Sequence, residues 1–170
     1  TMKNLYFISL KAKILYVAAA IFLLALCSGT EVCAQTHCTP TLTNSSTSCY
    51  ISNITTTGAI TNLNNSSSGF GASYSDYYST VNMTALAGTT VNFTLTVAGG
   101  SQQGYAVWVD WNDDGDFSDT GEKVAGSSST QASPISGSFT IPASATLGTH
   151  RMRVVVDRNT AAPSDPCQAA

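Results

Sequence analysis

The sequence predicts an all-β chain folded as an antiparallel, Ig-like β-sandwich. Three observations lead there. Val91, Phe93, Leu95 and Val97 alternate with Asn92, Thr94 and Thr96, the period-two pattern of a half-buried strand. Similar short runs recur down the chain, separated by Gly-, Asn- and Pro-bearing turns. Past Ala34 no stretch sustains the 3.6-residue apolar period of a helix.

The N-terminus stands apart. Lys3, Lys11 and Lys13 precede an apolar run from Ile14 to Leu26, 13 residues long. A membrane-spanning helix needs about 20. A basic start, a short apolar stretch and small residues around Val32-Cys33-Ala34 read as a secretory signal peptide over 1–34, cleaved after Ala34. Leu24-Ala25-Leu26-Cys27 is similar to a lipoprotein signal, but bulky Leu26 sits where a small residue is wanted, so plain export is preferred to a lipid on Cys27. The expected mature domain is 35–170, with no transmembrane segment, secreted or at the cell surface.

Within that domain the strands are expected in order. Residues 36–68 are rich in Ser, Thr and Asn and read as an ordered, loop-rich stretch, with strand-like residues at Cys49-Tyr50-Ile51 and Ile54. The Asn-x-Ser/Thr triplets at Asn44, Asn53 and Asn64 arise readily in such a tract and carry little weight. Strands follow at 90–97, 105–111, 122–125, 136–141 and 149–157. In the second of these, Tyr105, Val107, Val109 and Trp111 share one face, while Ala106 and Trp108 make the other face apolar too. That strand is expected to be covered on both sides. The core is expected to hold Phe93, Leu95, Val107, Val109, Phe139, Ile141, Val154 and Val156. Arg151 and Arg153 fall on the opposite face of the last strand and are expected to face solvent.

Charge excludes one class of partner. Past Ala34 the chain keeps four Lys+Arg against nine Asp+Glu, a net of −5, and no basic stripe to neutralise phosphates. Nucleic acid is therefore not expected. Three cysteines remain there: Cys38, Cys49 and Cys167. Export permits disulfides, and an odd number allows at most one pair within the chain. Cys38 with Cys49, or Cys167 with either, is open. No Cys/His set has zinc spacing.

Six of the nine acids lie in the 13 residues Asp110-Trp-Asn-Asp-Asp-Gly-Asp-Phe-Ser-Asp-Thr-Gly-Glu122. Two carboxylates about 5 Å apart repel by roughly 3 kcal/mol at an effective dielectric near 20. Such packing needs a cation or open solvent. Asp110, Asn112 and Asp114 stand at i, i+2 and i+4, just before Gly115, which is the oxygen spacing of a calcium loop. Asp116 would offer its backbone carbonyl, and Asp119 or Glu122 would close the shell. The helix–loop–helix pattern is broken, because Gly121 takes the twelfth position and a strand leads in. The expectation is a calcium loop on a β-hairpin, with Asp110, Asn112, Asp114, Asp116, Asp119 and Glu122 as ligands and an affinity around 10⁻⁴ M. A solvated acidic turn is the competing reading. Hard oxygen donors and no histidine within the loop favour Ca2+ over zinc or copper.

The stretch Val107–Glu122 resembles the core signature of the GEVED domain, found in secreted multidomain proteins of Bacteroidetes-type bacteria. His37-Cys38-Thr39-Pro40, Ser75-Asp76-Tyr77 and Ile141–Val154 resemble it as well, and Asp165-Pro166-Cys167 is similar to the segment before the naming motif. The resemblance implies a β-sandwich accessory domain beside peptidases, adhesins or a secretion signal. Its naming Gly-Glu-Val-Glu-Asp motif is absent from this sequence. The resemblance therefore implies a sandwich lacking its final strand, with an unpaired edge, and a metal site short of the motif's acids.

Catalysis is not indicated. His37 and His150 are the only histidines, with no His-Glu-x-x-His and no Gly-x-Ser-x-Gly. His150 is read as structural. The function expected is a non-catalytic, calcium-stabilised extracellular module of a larger protein, serving adhesion or as an accessory domain. Its partners would be neighbouring domains of the same polypeptide and an extracellular glycan or protein. The alternative is a carbohydrate-binding module using Tyr74, Tyr77 and Tyr78, with Trp108 and Trp111 read chiefly as packing residues.

Overall fold

The structure, a computed structural model, describes residues 36–40, 49–67, 74–99, 102–158 and 160–167. The chain divides between Ala34 and Gln35, and all described residues fall in the second unit. The expected signal peptide, Cys27 and Asn44 lie outside the described residues.

Seven strands and no helix make up the described fold: β1 (Ile51–Thr57), β2 (Asn64–Ser66), β3 (Thr90–Val97), β4 (Gly104–Val109), β5 (Lys123–Gly126), β6 (Ile135–Thr140) and β7 (Met152–Asp157). They form two antiparallel sheets, in the orders β2-β1-β3-β6 and β5-β4-β7. The chain changes sheet between β3 and β4, β5 and β6, and β6 and β7, the Greek-key wiring of an Ig-like sandwich. β5 and β7 are the outer strands of the three-stranded sheet among the described residues.

Alternation does the work that the sequence suggests. On β3, Val91, Phe93, Leu95 and Val97 are buried and join Tyr105 and Val107 of β4 and Ile135 and Phe139 of β6 in the main core. Phe93 meets Tyr105 edge-to-face across the sheets, with centroids 5.4 Å apart. Val154 and Val156, half-buried, pack against this core from β7. Gly137 pairs with Phe93 across strands, and a Cβ on Gly137 would collide with that ring.

Every residue of β4 is buried. Its second face makes a smaller core of Ala106, Trp108 and Phe117, with Val155 beside it. The C-terminal segment crosses this face. Ser127 Oγ donates to Ala161 O. Lys123 Nζ donates to Pro163 O at 2.6 Å while lying over the Trp108 ring. Cys167 closes a disulfide with Cys38, 129 residues away. This settles the pairing left open by the sequence, and Cys49 is free, its thiol donating to Gln103 Oε1.

Arg153 overturns the expectation of two solvent-facing arginines. It is 5% exposed. Period-two spacing does set it opposite the main core, but that face is covered. Arg153 pairs with Trp108 across strands. Its guanidinium donates to the Cys38 carbonyl at 2.7 Å and to the Pro166 carbonyl at 3.0 Å.

Gly104 marks how closely the crossing segment lies. A Cβ there would overlap the carbonyl oxygens of Thr160 and Ala161. Backbone that close leaves room only for glycine. Gly104→Ala is expected to lower stability by about 1–3 kcal/mol, measured by urea unfolding. An unchanged midpoint would show that the segment lifts away freely.

Candidate functional site

The acidic loop joins β4 to β5, and its root is pinned by both flanking chains. Asp110 N donates to Arg151 O at 3.0 Å, and Val109 N donates to Glu122 O at 2.8 Å. Its tip is held by Phe117, which is 3% exposed in the smaller core. Between root and tip, Asp113 (φ 57°), Gly115 and Gly121 take the left-handed turns that let the loop double back.

Asp110 is fully buried. Its carboxylate accepts from Asp114 N at 3.2 Å, from Gly115 N at 3.0 Å and from His37 Nε2 at 2.9 Å. Glu122, 2% exposed, accepts from Trp111 N and Asp119 N. Burial holds the Glu122 carboxyl above its usual range against those two hydrogen bonds, and the Asp110 and Asp114 charges add to the rise. Both acids therefore organise the backbone of the loop from inside. Asp116 accepts from Ser118 N and Oγ, both at 2.7 Å, which holds its carboxyl below the usual range.

The remaining three expected ligands meet. Asn112 Nδ2 donates to Asp114 at 2.9 Å and to Asp119 at 2.6 Å, so both carboxylates face one amide. The two carboxylates are hard oxygen donors of the kind calcium takes, while the Asn112 Oδ1 accepts from Asp114 N at 3.3 Å. Among the described residues, no group of three or more His, Cys, Asp and Glu side chains is gathered as a metal shell. Of the six expected ligands, then, Asp114 and Asp119 meet at the Asn112 amide. Asn112 and Asp114 also accept from backbone N–H groups, and Asp110, Asp116 and Glu122 are engaged by backbone, histidine and serine groups.

Both histidines brace this region, a role that the sequence did not assign to His37. His37 joins the N-terminal segment to Asp110, and its ring lies 5.0 Å from that of Phe117. The neighbouring Cys38 was the available signal, since a disulfide there fixes the segment in place. His150 Nδ1 reaches Asp113 at 3.1 Å and its Nε2 donates to Thr146 O at 3.0 Å. Burial pulls the His150 pKa down, but the Thr146 carbonyl and the Asp113 charge outweigh it and the net shift is upward.

Beside the loop lies a cleft of about 280 Å³, lined by His37, Tyr78, Asp110, Asp113, Thr149 and Arg151. Arg151 Nη1 donates to Asp76 at 3.1 Å, and its guanidinium sits 4.2 Å from the Tyr78 ring centre. The backbone N–H of Tyr78 and then Arg151 hold the Asp76 carboxyl below its usual range.

The GEVED domain family model matches residues 104–170, from the first residue of β4 onward. No curated protein matches the chain, and no solved structure matches it.

Proposed function

We propose, from the match of the GEVED domain family model to residues 104–170, that the protein works as a non-catalytic accessory module of a larger exported protein. In this reading its acidic loop takes Ca2+ and is stiffened by it, and the module serves adhesion or holds its neighbours near a surface. Secretion through residues 1–34 belongs to the same proposal. The observation that carries the calcium reading is the placement of the Asp114 and Asp119 carboxylates around one point, the Asn112 Nδ2 group. The two carboxylates would hold the ion, with the Asn112 amide turned to offer its oxygen, and the ion would neutralise crowded carboxylates and join the two halves of the loop. Asp110 and Glu122 would keep the loop's backbone in place beneath it. His150 spends both ring nitrogens on structure, which favours a non-catalytic role.

With a dissociation constant around 10⁻⁴ M, about 1 mM calcium adds about 1.4 kcal/mol by mass action. That raises Tm by about 5 °C for a domain of this size. Asp114→Asn combined with Asp119→Asn is expected to abolish the rise, while keeping the side-chain acceptor that Asp114 offers to Asp116 N. The check is thermal unfolding in calcium against chelator. Identical curves for the unmodified chain would end the calcium reading.

A second reading, glycan capture by the tyrosine-bearing segment, is favoured by the 39% and 47% exposure of Tyr77 and Tyr78. The tryptophans do not compete for that role. Trp108 is buried, and Trp111 packs against the main core.

A further inference from the structure

We propose that the cleft beside the acidic loop binds a neutral sugar residue, seated on Tyr78 and hydrogen-bonded by Arg151, Asp113 and Thr149. This rests on the glycan reading above and narrows it to one place.

The first ground is that the wall is fixed in advance. Arg151 is held by Asp76, and Asp76 is held in turn by the Tyr78 backbone N–H. Asp113 is held by His150, which is anchored on Thr146 O and lies edge-on to Trp111, with centroids 5.5 Å apart. Asp110 is held by two backbone N–H groups and His37. A merely solvated surface leaves long polar side chains free to rotate. Here the charged groups of the wall each have a partner behind them. Side chains ordered before the ligand arrives lose little entropy when it binds.

The second ground is the pairing of polar groups. Asp110 faces His37, Asp113 faces His150, and Arg151 faces Asp76. Each carboxylate in the wall is hydrogen-bonded to an imidazole, and the guanidinium is hydrogen-bonded to a carboxylate. What remains is directional hydrogen bonding beside an aromatic face. Arg151 offers N–H donors, Asp113 offers acceptor lone pairs, and Thr149 offers a hydroxyl that can do either. Neighbouring hydroxyls on a sugar ring accept from one such group and donate to the other. The C–H face of the ring rests on the half-exposed Tyr78 ring, whose position is set by the Arg151 guanidinium.

The test uses the full chain in millimolar calcium, titrated calorimetrically with maltotriose, cellotriose, mannotriose and chitotriose. At least one is expected to bind. Tyr78→Ala and Asp113→Asn are each expected to weaken that binding about tenfold. Asparagine tolerates the left-handed backbone of position 113, so Asp113→Asn is expected to keep the fold and an unchanged Tm. Binding that survives both substitutions but is lost in Tyr77→Ala would overturn the cleft and leave the glycan reading standing. No binding to any of the four would overturn both.

Discussion

Replacing Cys38 and Cys167 together by serine is expected to cost the domain up to about 5 kcal/mol. The disulfide spans 129 residues, and the chain-entropy relation for a loop of that length gives about this figure. The loss should not be uniform. Cys38 is carried by the N-terminal segment and Cys167 by the C-terminal one, and the latter covers the second face of β4. Without the bond, those segments keep their packing and the hydrogen bonds from Arg153, Lys123, Ser127 and His37. Urea unfolding of the double variant measures the global term. Hydrogen exchange resolves the local one, with protection falling first around Trp108 and Phe117, while the amides of β3 and β6 hold out. An unchanged midpoint would mean that packing and these hydrogen bonds hold the covering segments without help from the disulfide.

The main sandwich was readable because its signal is local. Each buried side chain of β3 stands two residues from the next, and that parity maps directly onto one face of a sheet. The doubly apolar face of β4 was readable for the same reason. What covers its second face was not, because the cover comes from segments some 50 to 70 residues away in sequence with no period of their own. Arg153 shows the consequence. Parity placed it away from the main core, and the step from "away from the core" to "in water" failed. A warning was present in Val155, Ala106 and Trp108, apolar residues on that same face.

The acidic loop is ambiguous for a different reason. Asn112, Asp114 and Asp116 each accept from the backbone N–H two residues ahead. The i, i+2 spacing that aims oxygens at a cation is also the spacing of a side chain closing its own turn. Spacing found the loop, and only placement in space separates the side chains that face one another from those turned onto the backbone.

Arg153→Met is expected to cost about 3–4 kcal/mol, although it preserves much of the side chain's volume. The guanidinium donates to the carbonyls of Cys38 and Pro166, and it lies 4.7 Å from the Phe117 ring centre and 5.4 Å from that of Tyr74. A methionine fills the space but leaves both part-buried carbonyls without this donor, at about 1–2 kcal/mol each. It also removes the cation from the aromatic faces. Arg153→Lys should recover only part of the loss, since one ammonium cannot reproduce the planar fork that spans the two segments. The effect should also depend on the disulfide, because both links join the same two segments. Combined with the Cys38→Ser and Cys167→Ser pair, Arg153→Met should cost at least 0.5 kcal/mol less than it does in the disulfide-bonded chain. A double-mutant cycle from urea midpoints measures that difference. Simple additivity would show that Arg153 supports the sheet face independently of the segments it touches.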